Sequence, residues 1–283
     1  MFRDDLLRDE RILVTGGGGD LGRAMAARFL DLGASVVLCG RSPERLDAAL
    51  AAPAIARHAE RATALPCDLR DPAAVAAMME RIWQDGPLTV LVNNAAANFI
   101  AQTERLSARA ADAILGPSLH GALYATLEAG RRWIDAGDRG TVLSILSTSA
   151  RTGRAFTAPS EMAKAGLEAM TKSLAVEWGP KGIRMVAIAP GAFETETAAR
   201  QLRPGAGDGD EGGFAGLAEW IPDGRLGRTD ELADLAAFLL SGPAAHITGE
   251  TIAIDGGAHL RSSGAEDLLR WPQEKWDAVR QRR

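Results

Sequence analysis

Residues 11–22 read RILVTGGGGDLG, an apolar run that leads directly into four consecutive glycines. The run predicts a buried strand, and Asp20 marks the start of a helix that we expect it to cap. Glycines between a strand and a helix let the backbone approach a pyrophosphate, and the free N–H groups of the helix N-terminus bind the anion. We therefore predict a phosphate-binding turn with cofactor contacts from Gly16, Gly18, Gly19, Asp20, Leu21 and Gly22.

Short apolar runs of this kind recur along the chain and alternate with Ala-rich helical stretches. Most are continuous rather than alternating, which is typical of parallel strands buried on both faces. The sequence therefore predicts an α/β fold, a Rossmann-type doubly wound sheet of seven parallel strands in the order 3-2-1-4-5-6-7 with helices on both faces. The predicted strands are 11–15, 35–39, 62–67, 88–92, 140–147, 182–189 and 247–254. The predicted helices are 20–32, 43–50, 71–85, 104–115, 118–136, 158–178 and 229–241.

The chain has 283 residues, a length that one large α/β domain can accommodate. We predict a single NAD(P)-binding domain over residues 1–260 and a C-terminal appendage over 261–283. Residues 203–216 are rich in glycine and acids and show neither helical nor strand periodicity. They predict a mobile substrate lid at about 192–225.

The composition excludes several classes of partner. The net charge is −5, and the 32 Lys and Arg residues are spread along the chain, so neither nucleic acid nor a membrane surface is expected as a partner. Cys39 and Cys67 have no metal-ligand spacing, and the histidines form none either, so no metal site is predicted. No apolar run is long enough to cross a membrane. We expect a reduced, cytoplasmic protein.

The end of the second strand predicts the choice of cofactor. Dinucleotide folds that select NAD place an acid there to bind the ribose hydroxyls. This chain has Gly40, Arg41 and Ser42 instead. Without the acid nothing repels a 2′-phosphate, and the Arg41 guanidinium is able to pair with it, so NADP (NADPH) is the predicted cofactor, with Arg41 and Ser42 at the 2′-phosphate.

Further motifs resemble the short-chain dehydrogenase/reductase family over about residues 10–258. Besides the glycine-rich turn, they are Cys67-Asp68-Leu69, Asn93-Asn94-Ala95-Ala96, Lys164-Ala165-Gly166, Ala189-Pro190-Gly191 and Asp255-Gly256-Gly257. The resemblance implies a nicotinamide cofactor, with Asp68 at the adenine, Asn93 and Ala95 along the cofactor and Thr195 at the carboxamide. The other cofactor contacts that it implies are Leu69, Asn94, Lys164, Pro190 and Gly191.

Within that family, two segments are most similar to the 2,4-dienoyl-CoA reductases. They are NAAANFI at 94–100 and PSEMAKAG at 159–166. The resemblance implies reduction of a conjugated dienoyl thioester to an enoyl thioester by NADPH. The expected partner is thus a small-molecule substrate such as an acyl-CoA.

The candidate catalytic residues depart from the family pattern of Ser, Tyr and Lys. Lys164 is present, but Ser160 stands at the tyrosine position, and its hydroxyl is far less acidic than a phenol. Mitochondrial-type dienoyl-CoA reductases place a tyrosine at the position of Ser149, and their peroxisomal relatives place an aspartate at that of Ser118. Neither residue is present here. The candidates that remain are Lys164, Ser147, Ser149, Ser160 and Asn98.

The resemblance also implies a role for three of these residues. Lys164 would bind the nicotinamide ribose and place a positive charge near the reacting carbonyl, Ser147 would donate to the substrate oxygen, and Asn98 would donate to the thioester oxygen. Water would supply the later proton. Tyr124, the only tyrosine, is expected to pack in the core or an interface, and His120 points to a different helix face from Ser118.

Three functions remain open on the sequence. The first is the NADPH-dependent reduction of a dienoyl-CoA or similar thioester, and the second is oxidation or reduction of another alcohol or carbonyl. The third is a catalytically impaired NADP-binding homologue. The family resemblance also implies a homotetramer or homodimer.

Overall fold

The computed structural model describes residues 2–195, 214–261, 265, 268 and 271–281. Its strands are β1 (Arg11–Thr15), β2 (Ser35–Gly40), β3 (Ala62–Pro66), β4 (Val90–Asn93), β5 (Gly140–Ile145), β6 (Ile183–Pro190) and β7 (Thr251–Ile254). They form one sheet in the order β3-β2-β1-β4-β5-β6-β7, and all the neighbouring strands are parallel. The predicted fold class and strand order are confirmed.

Helices cover both faces of this sheet. They are α1 (Asp20–Asp31), α2 (Pro43–Ala51), α3 (Pro53–Ala56), α4 (Pro72–Gln84), α5 (Ala108–Leu115), α6 (Gly121–Ala136), α7 (Ser149–Thr152), α8 (Ala158–Trp178), α9 (Phe214–Ala218), α10 (Thr229–Leu240) and α11 (Gln273–Gln281). On one face α1 packs against α10, and Phe29 and Leu232 belong to a single buried cluster. On the other face α4 packs against α6, where Met79 and Trp133 are fully buried. The core therefore lies in two layers, one on each side of the strands.

The helix starts follow local chemistry. Asp71 caps α4 by accepting a hydrogen bond from the Ala73 N–H (2.9 Å), and Pro72 fills the first helical position, where no N–H is needed. The expectation that Asp20 caps α1 is wrong. The N-cap residue is Gly19, and Asp20 is the first helical residue, with its carboxylate paired to Arg23 one turn later (2.9 Å).

The predicted break between helices at 116–117 is also wrong. A π-helical turn, Gly116–His120, joins α5 to α6 without interruption. Pro117 explains the wider turn, because proline has no N–H to donate and its ring collides with the carbonyl that an α-helix would place beside it. Such turns inside α-helices are rare and are frequent at functional sites.

Two strands are shorter than predicted by two residues or more. β5 ends at Ile145 rather than at residue 147, because the chain turns there into α7. β7 begins at Thr251 rather than at residue 247, because Gly249 adopts a left-handed conformation (φ 74°) and its N–H bonds to the Met185 carbonyl in a turn. Both predictions extend a strand beyond the residues that form its ladder.

Parts of two predicted segments lie outside the described residues. Of the lid at 192–225, residues 196–213 are not described, and of the appendage at 261–283 only 261, 265, 268 and 271–281 are. In the appendage the Trp271 and Trp276 rings contact each other, with centroids 5.4 Å apart. Within the described ranges, no helix is both long and apolar enough to span a membrane.

Candidate active site

The glycine-rich turn follows β1 and leads into α1, as predicted. Gly16 has a left-handed backbone (φ 67°), and the Gly19 N–H closes the turn on the Gly16 carbonyl (3.0 Å). A Cβ on Gly22 would stand 2.5 Å from the Gly16 carbonyl oxygen. Only glycine fits at that point, because real Cβ contacts do not come so close.

A hydrogen-bond network ties this turn to the segment after β4. Thr15 Oγ1 accepts from the N–H groups of Asn94 (3.0 Å) and Ala95 (3.1 Å) and donates to the Val92 carbonyl (3.0 Å). Asn94 Nδ2 donates to the carbonyls of Thr15 (2.9 Å) and Gly16 (3.3 Å). Asn94 and Ala95, predicted at the cofactor, therefore also hold the phosphate-binding turn in place.

Charged residues gather at the carboxyl ends of β2 and β3. The Arg70 guanidinium binds the Asp68 carboxylate (2.9 and 2.5 Å) and holds the pKa of that carboxyl below its usual range, with a smaller contribution from the charge of Arg41. Asp68, predicted at the adenine, thus has its carboxylate engaged by Arg70. Arg41 itself is exposed. The buried Leu69 follows Asp68 and belongs to the core.

Arg45 was missed by the sequence analysis. Its guanidinium donates to the Gly18 carbonyl (3.2 Å), so it lies against the phosphate-binding turn. The Ser42 hydroxyl caps α2 by accepting from the Arg45 N–H (3.3 Å) and donates to the Glu44 carboxylate (2.6 Å). The signal for Arg45 was its position in the first turn of the helix after β2, on the same side as Arg41.

The predicted residues after β6 lie at the same edge of the sheet. The Gly191 N–H bonds to the Ile254 carbonyl (3.0 Å), and a Cβ on Gly191 would stand 2.4 Å from Asp255 Cβ. The Pro190 carbonyl accepts from the Thr148 N–H (3.2 Å), which joins β6 to the segment after β5. Thr195 is the last residue described before 196–213.

Two anchors fix the segment that carries Asn98. The Ala97 N–H donates to Ser118 Oγ in the π-helical turn (2.9 Å), and the Ala101 N–H donates to the Phe156 carbonyl ahead of α8 (3.1 Å). Asn98 lies between these anchors, and its Oδ1 is buried without a hydrogen-bond partner. Ser118, which stands at the aspartate position of the peroxisomal relatives, therefore positions the Asn98 segment.

The serines after β5 form a pair. Ser147 Oγ and Ser149 Oγ are 2.7 Å apart, and the Ser149 N–H donates to Ser147 Oγ (3.3 Å). Farther along this segment, Phe156 has a left-handed backbone (φ 66°), a conformation that is rare and strained for a bulky residue. Such outliers cluster at functional sites.

Lys164 and Ser160 project from the first half of α8 and are buried, 8% and 7% exposed. Lys164 Nζ donates to the Ile145 carbonyl at the end of β5 (2.6 Å). Burial lowers the pKa of Lys164 from 10.5 to about 8, and the charge of Glu161 opposes that shift. The ammonium is therefore held at the carboxyl end of the sheet, beside the serines after β5.

Glu161 is a second residue that the sequence analysis missed. It lies between Ser160 and Lys164, and its Oε1 accepts from Thr157 Oγ1 (3.0 Å). Its Oε2 is buried without a hydrogen-bond partner. The available signal was an acid three residues before the lysine, on the same side of the helix.

The remaining polar residues near the site have other roles. Tyr124 packs against the hydrophobic cluster under α6, as predicted, and the His120 ring is its neighbour (centroids 6.3 Å apart). Asn93 Nδ2 donates to Thr126 Oγ1 on α6 (2.9 Å), so this side chain ties a helix to the sheet. No group of three or more metal-ligating side chains occurs in the portion of the chain that the structure describes.

These residues fit a dinucleotide. The glycine turn leaves no room for a Cβ at Gly22, the N-terminus of α1 faces the same edge, and Lys164 and Asn98 lie farther along that edge. The residues predicted at the adenine, at the phosphates and at the nicotinamide thus lie at the carboxyl ends of β3 and β2, of β1, and of β4 to β6, which is the order of these strands in the sheet.

Comparison with known proteins agrees with this geometry. Residues 19–259 match a family model described as enoyl-(acyl carrier protein) reductase. The chain is 38% identical to a probable 2,4-dienoyl-CoA reductase, (3E)-enoyl-CoA-producing, of Caenorhabditis elegans, over 99% of this chain and 91% of the relative. It is 36% identical to a probable 2,4-dienoyl-CoA reductase, (2E)-enoyl-CoA-producing, of Bacillus subtilis, over 90% and 98%.

A solved structure shows the same fold with a cofactor bound. The 3-ketoacyl-(acyl-carrier-protein) reductase of Brucella melitensis in complex with NADH superimposes with a TM-score of 0.80 at 30% identity, covering 89% of this chain and 99% of that one. The family model, the similar proteins, the parallel sheet and the phosphate-binding turn all indicate the same family. The chain belongs to the short-chain dehydrogenase/reductase family of oxidoreductases, which use a nicotinamide cofactor.

Proposed function

We propose that this protein is an NADPH-dependent reductase of a 2,4-dienoyl-CoA or a similar conjugated enoyl thioester. The proposal is carried by the composition of the part of the site predicted to bind the nicotinamide and the substrate, which we call the reaction end. Its residues are Lys164, Asn98, Ser147, Ser149 and Ser160, and none of them is a tyrosine. The only tyrosine of the chain, Tyr124, packs under α6. The two relatives named as probable 2,4-dienoyl-CoA reductases support the substrate class.

A conjugated thioester suits a site of this composition. NADPH, when bound, supplies a hydride to the far carbon of the conjugated system. The negative charge then spreads to the thioester oxygen, where no proton has to arrive at the same moment. Preorganised donors such as the Asn98 amide and the Ser147 hydroxyl lower the barrier by stabilising that charge. A ketone would instead need an acid at its oxygen, which Ser160 is too weak to provide.

Each candidate residue has a part in this scheme. Lys164 binds the nicotinamide ribose and places its ammonium near the developing negative charge. Asn98, held by the Ala97 and Ala101 anchors, donates to the thioester oxygen. Ser147 and Ser149, which share a hydrogen bond of 2.7 Å, and Ser160 orient the substrate from the other side.

The choice of NADPH over NADH rests on the residues after β2. Arg41 is exposed at the end of the strand, and Arg45 lies against the phosphate-binding turn. Two guanidinium groups favour a 2′-phosphate, which accepts charge-assisted hydrogen bonds from arginine. The Glu44 carboxylate beside Ser42 opposes them in part.

The assembly is proposed to be a homodimer or homotetramer in which α8 contributes to a subunit interface. The outer side of α8 carries two exposed apolar side chains, Met162, 61% exposed, and Val176, 80% exposed, which a second copy of the chain would cover. Sedimentation of the wild type and of Val176→Glu would test this. A wild-type monomer would contradict it.

The proposed activity is tested by following NADPH absorbance with a short and a medium-length 2,4-dienoyl-CoA. The panel also contains the matching 2-enoyl-CoA and 3-ketoacyl-CoA. We expect turnover of the dienoyl thioesters alone and its loss in Lys164→Ala. Reduction of the ketone at a comparable rate would point instead to an ordinary carbonyl reductase. Tight NADPH binding with no turnover of any substrate would favour a non-catalytic homologue.

A further inference from the structure

Trp220 is an exposed aromatic residue in the segment 192–225, which the sequence predicts as the substrate lid. Its side chain is 64% exposed, whereas the next residue, Ile221, is buried. Ile221 packs against Gly256, just beyond the end of β7, where an added Cβ would stand 2.6 Å from Ile221 Cγ2. Trp220 is therefore held at the carboxyl edge of the sheet, the edge at which Lys164 binds the end of β5.

Arg261 lies over one face of the Trp220 ring. The central carbon of its guanidinium is 4.8 Å from the ring centroid, and Nη1 donates to the Trp220 carbonyl (2.8 Å). Among the residues that the structure describes, no carboxylate pairs with Arg261. The pair thus presents an open aromatic face beside a cation that is available to an anion.

The turn that carries Arg261 is fixed from below. It is a single 3-10 turn, Ala258–Leu260, that follows β7. The Asp255 carboxylate, which is almost fully buried, accepts from the N–H groups of Gly257 (3.0 Å) and His259 (2.8 Å) and also binds His259 Nδ1 (2.8 Å). Arg261 is therefore presented from an ordered turn, which reduces the entropy lost when a ligand binds.

A second arginine–tryptophan pair shows a structural arrangement instead. The central guanidinium carbon of Arg132 is 5.5 Å from the centroid of the Trp83 ring. Its guanidinium binds the Glu128 carboxylate, however, and Trp83 is half-buried against the hydrophobic cluster under α4. This pair lies near the opposite edge of the sheet, because α4 ends before β4 begins. Trp220 and Arg261 differ from it in exposure, in charge pairing and in position.

We propose that Trp220 and Arg261 bind the nucleotide of coenzyme A. The adenine stacks on the ring face that Arg261 leaves open, and the 3′-phosphate pairs with the guanidinium. The nearby acid Asp223 is paired with Arg225 (3.0 Å), so its charge is offset. This inference rests on the proposed function, because the acyl end of the same molecule would reach Lys164.

Recognition at this pair would select the carrier of the substrate. An acyl carrier protein presents the same pantetheine arm as coenzyme A but has neither an adenine nor a 3′-phosphate. The stack on Trp220 and the charge of Arg261 would therefore favour the thioester of free coenzyme A over that of a carrier protein.

The test measures KM for three thioesters of one dienoic acid. They are the thioesters of CoA, of dephospho-CoA, which has no 3′-phosphate, and of pantetheine, which has no nucleotide. The variants are Trp220→Ala and Arg261→Ala, and Arg132→Ala, which removes the arginine of the other pair, is the matched control. Calorimetric titrations with free CoA and with NADPH give both Kd values without turnover, and NADPH binding reports whether each variant is folded.

We expect the wild type to have its lowest KM for dienoyl-CoA. Trp220→Ala should raise KM about tenfold for both thioesters that contain adenine and leave it unchanged for the pantetheine thioester. Arg261→Ala should raise KM more for dienoyl-CoA than for the dephospho-CoA thioester, because only the former has the 3′-phosphate. Arg132→Ala should change none of these values.

Several results would overturn this inference alone. They are an equal rise in KM for all three thioesters in Trp220→Ala, equal wild-type KM values for CoA and pantetheine thioesters, and a lower KM for the thioester of an acyl carrier protein. Dissociation of an oligomer by Trp220→Ala with an unchanged Kd for CoA would overturn it too, in favour of a subunit contact.

Failure of the proposed function gives a different result. If the wild type turns over no dienoyl thioester, the proposed function is wrong, and the titrations with free CoA decide this inference. An unchanged Kd for CoA in Trp220→Ala would then overturn it, whereas a rise of about tenfold would support it.

Discussion

The nucleotide end of the site, which is the phosphate-binding turn with Asn94, differs from the reaction end in how many of its buried polar side-chain atoms have hydrogen-bond partners. At the nucleotide end, Thr15 and Asn94 use their polar side-chain atoms within the protein. At the reaction end, Asn98 Oδ1 and Glu161 Oε2 are buried without partners. The first end therefore uses these hydrogen bonds to hold the turn in place, whereas the second contains two buried oxygens that no protein donor binds.

Two asparagines on one segment show the same contrast. Asn94 Nδ2 donates to two carbonyls of the phosphate-binding turn, whereas Asn98, four residues later, has an unpartnered oxygen. Across the described ranges, four of the five buried side-chain atoms without partners lie on β4, on β5 or in the segments that follow them. They belong to Asn93, Asn98, Ser144 and Glu161, and the fifth to Thr251.

The largest effect is expected from Lys164→Met, which removes the buried ammonium. We expect kcat with a dienoyl-CoA to fall by about 1,000-fold, since the charge acts directly on the reacting group. Stability should rise at neutral pH. The pKa of Lys164 in the folded state is about 8, below the ordinary 10.5, and this gap corresponds to about 3 kcal/mol.

The sign of this pH dependence follows from proton binding. Between about pH 8 and 10.5 the unfolded chain binds more protons at Lys164 than the folded chain, so the free energy of unfolding of the wild type rises with pH. The advantage of Lys164→Met is therefore full below pH 8 and lost above 10.5. Denaturant unfolding at pH 7 and 10.5 measures it, with the exposed Lys172→Met as control. An equal advantage at both pH values would contradict the assignment.

Asn98→Leu and Asn94→Leu should separate activity from stability. Asn98→Leu is expected to lower kcat about 100-fold, because a donor to the developing oxyanion is lost. Its stability should hold or rise by about 1 kcal/mol, because an unsatisfied oxygen is removed. Asn94→Leu should lower stability by about 2 kcal/mol, because two carbonyls lose their donor. Thermal unfolding and steady-state kinetics on both variants measure this. Equal losses of stability would remove the contrast between the two ends.

Gly22→Ala should weaken the nucleotide end by steric means. Its Cβ would meet the Gly16 carbonyl oxygen at 2.5 Å, so the turn has to shift. We expect about a tenfold rise in the Kd for NADPH and a loss of about 1–3 kcal/mol in stability, as for other overpacked sites. The control is Gly179→Ala, outside the turn, where no atom lies within 4 Å of the added Cβ. Fluorescence titration reports the Kd, and equal effects in both variants would argue against the close approach at Gly22.

Arg41→Ala should give the smallest change and affect one cofactor only. Losing a charge-assisted hydrogen bond to the 2′-phosphate should raise the Kd for NADPH by about tenfold, or about 1.4 kcal/mol. NADH, which has no 2′-phosphate, is the internal control and should bind unchanged. An equal loss for both cofactors would show that Arg41 does not read that phosphate.

The sequence predicted the nucleotide end better than the reaction end. The strands were predicted from apolar runs, and the phosphate-binding turn from consecutive glycines between a strand and a helix. Both signals lie in residues that are adjacent in the sequence. The bond from the Ala97 N–H to Ser118 and the bond from Lys164 to the Ile145 carbonyl depend on segments that only the folded sheet brings together. The end of β5 was predicted two residues too late, because an apolar run does not show which of its residues makes the last hydrogen bond to the neighbouring strand.

The π-helical turn at Gly116–His120 also fixes the length of the chain at this point. Removing one residue would return the turn to α-helical geometry and rotate everything on one side of it by about 100° relative to the other. Either Ser118 would leave the Ala97 N–H, or the buried side of α6 with Ala125 and Trp133 would turn away from the sheet. The position of Ser118 at the active-site segment and the orientation of the buried side of α6 therefore depend on the same number of residues in this turn. A single-residue deletion here would therefore disrupt one of the two.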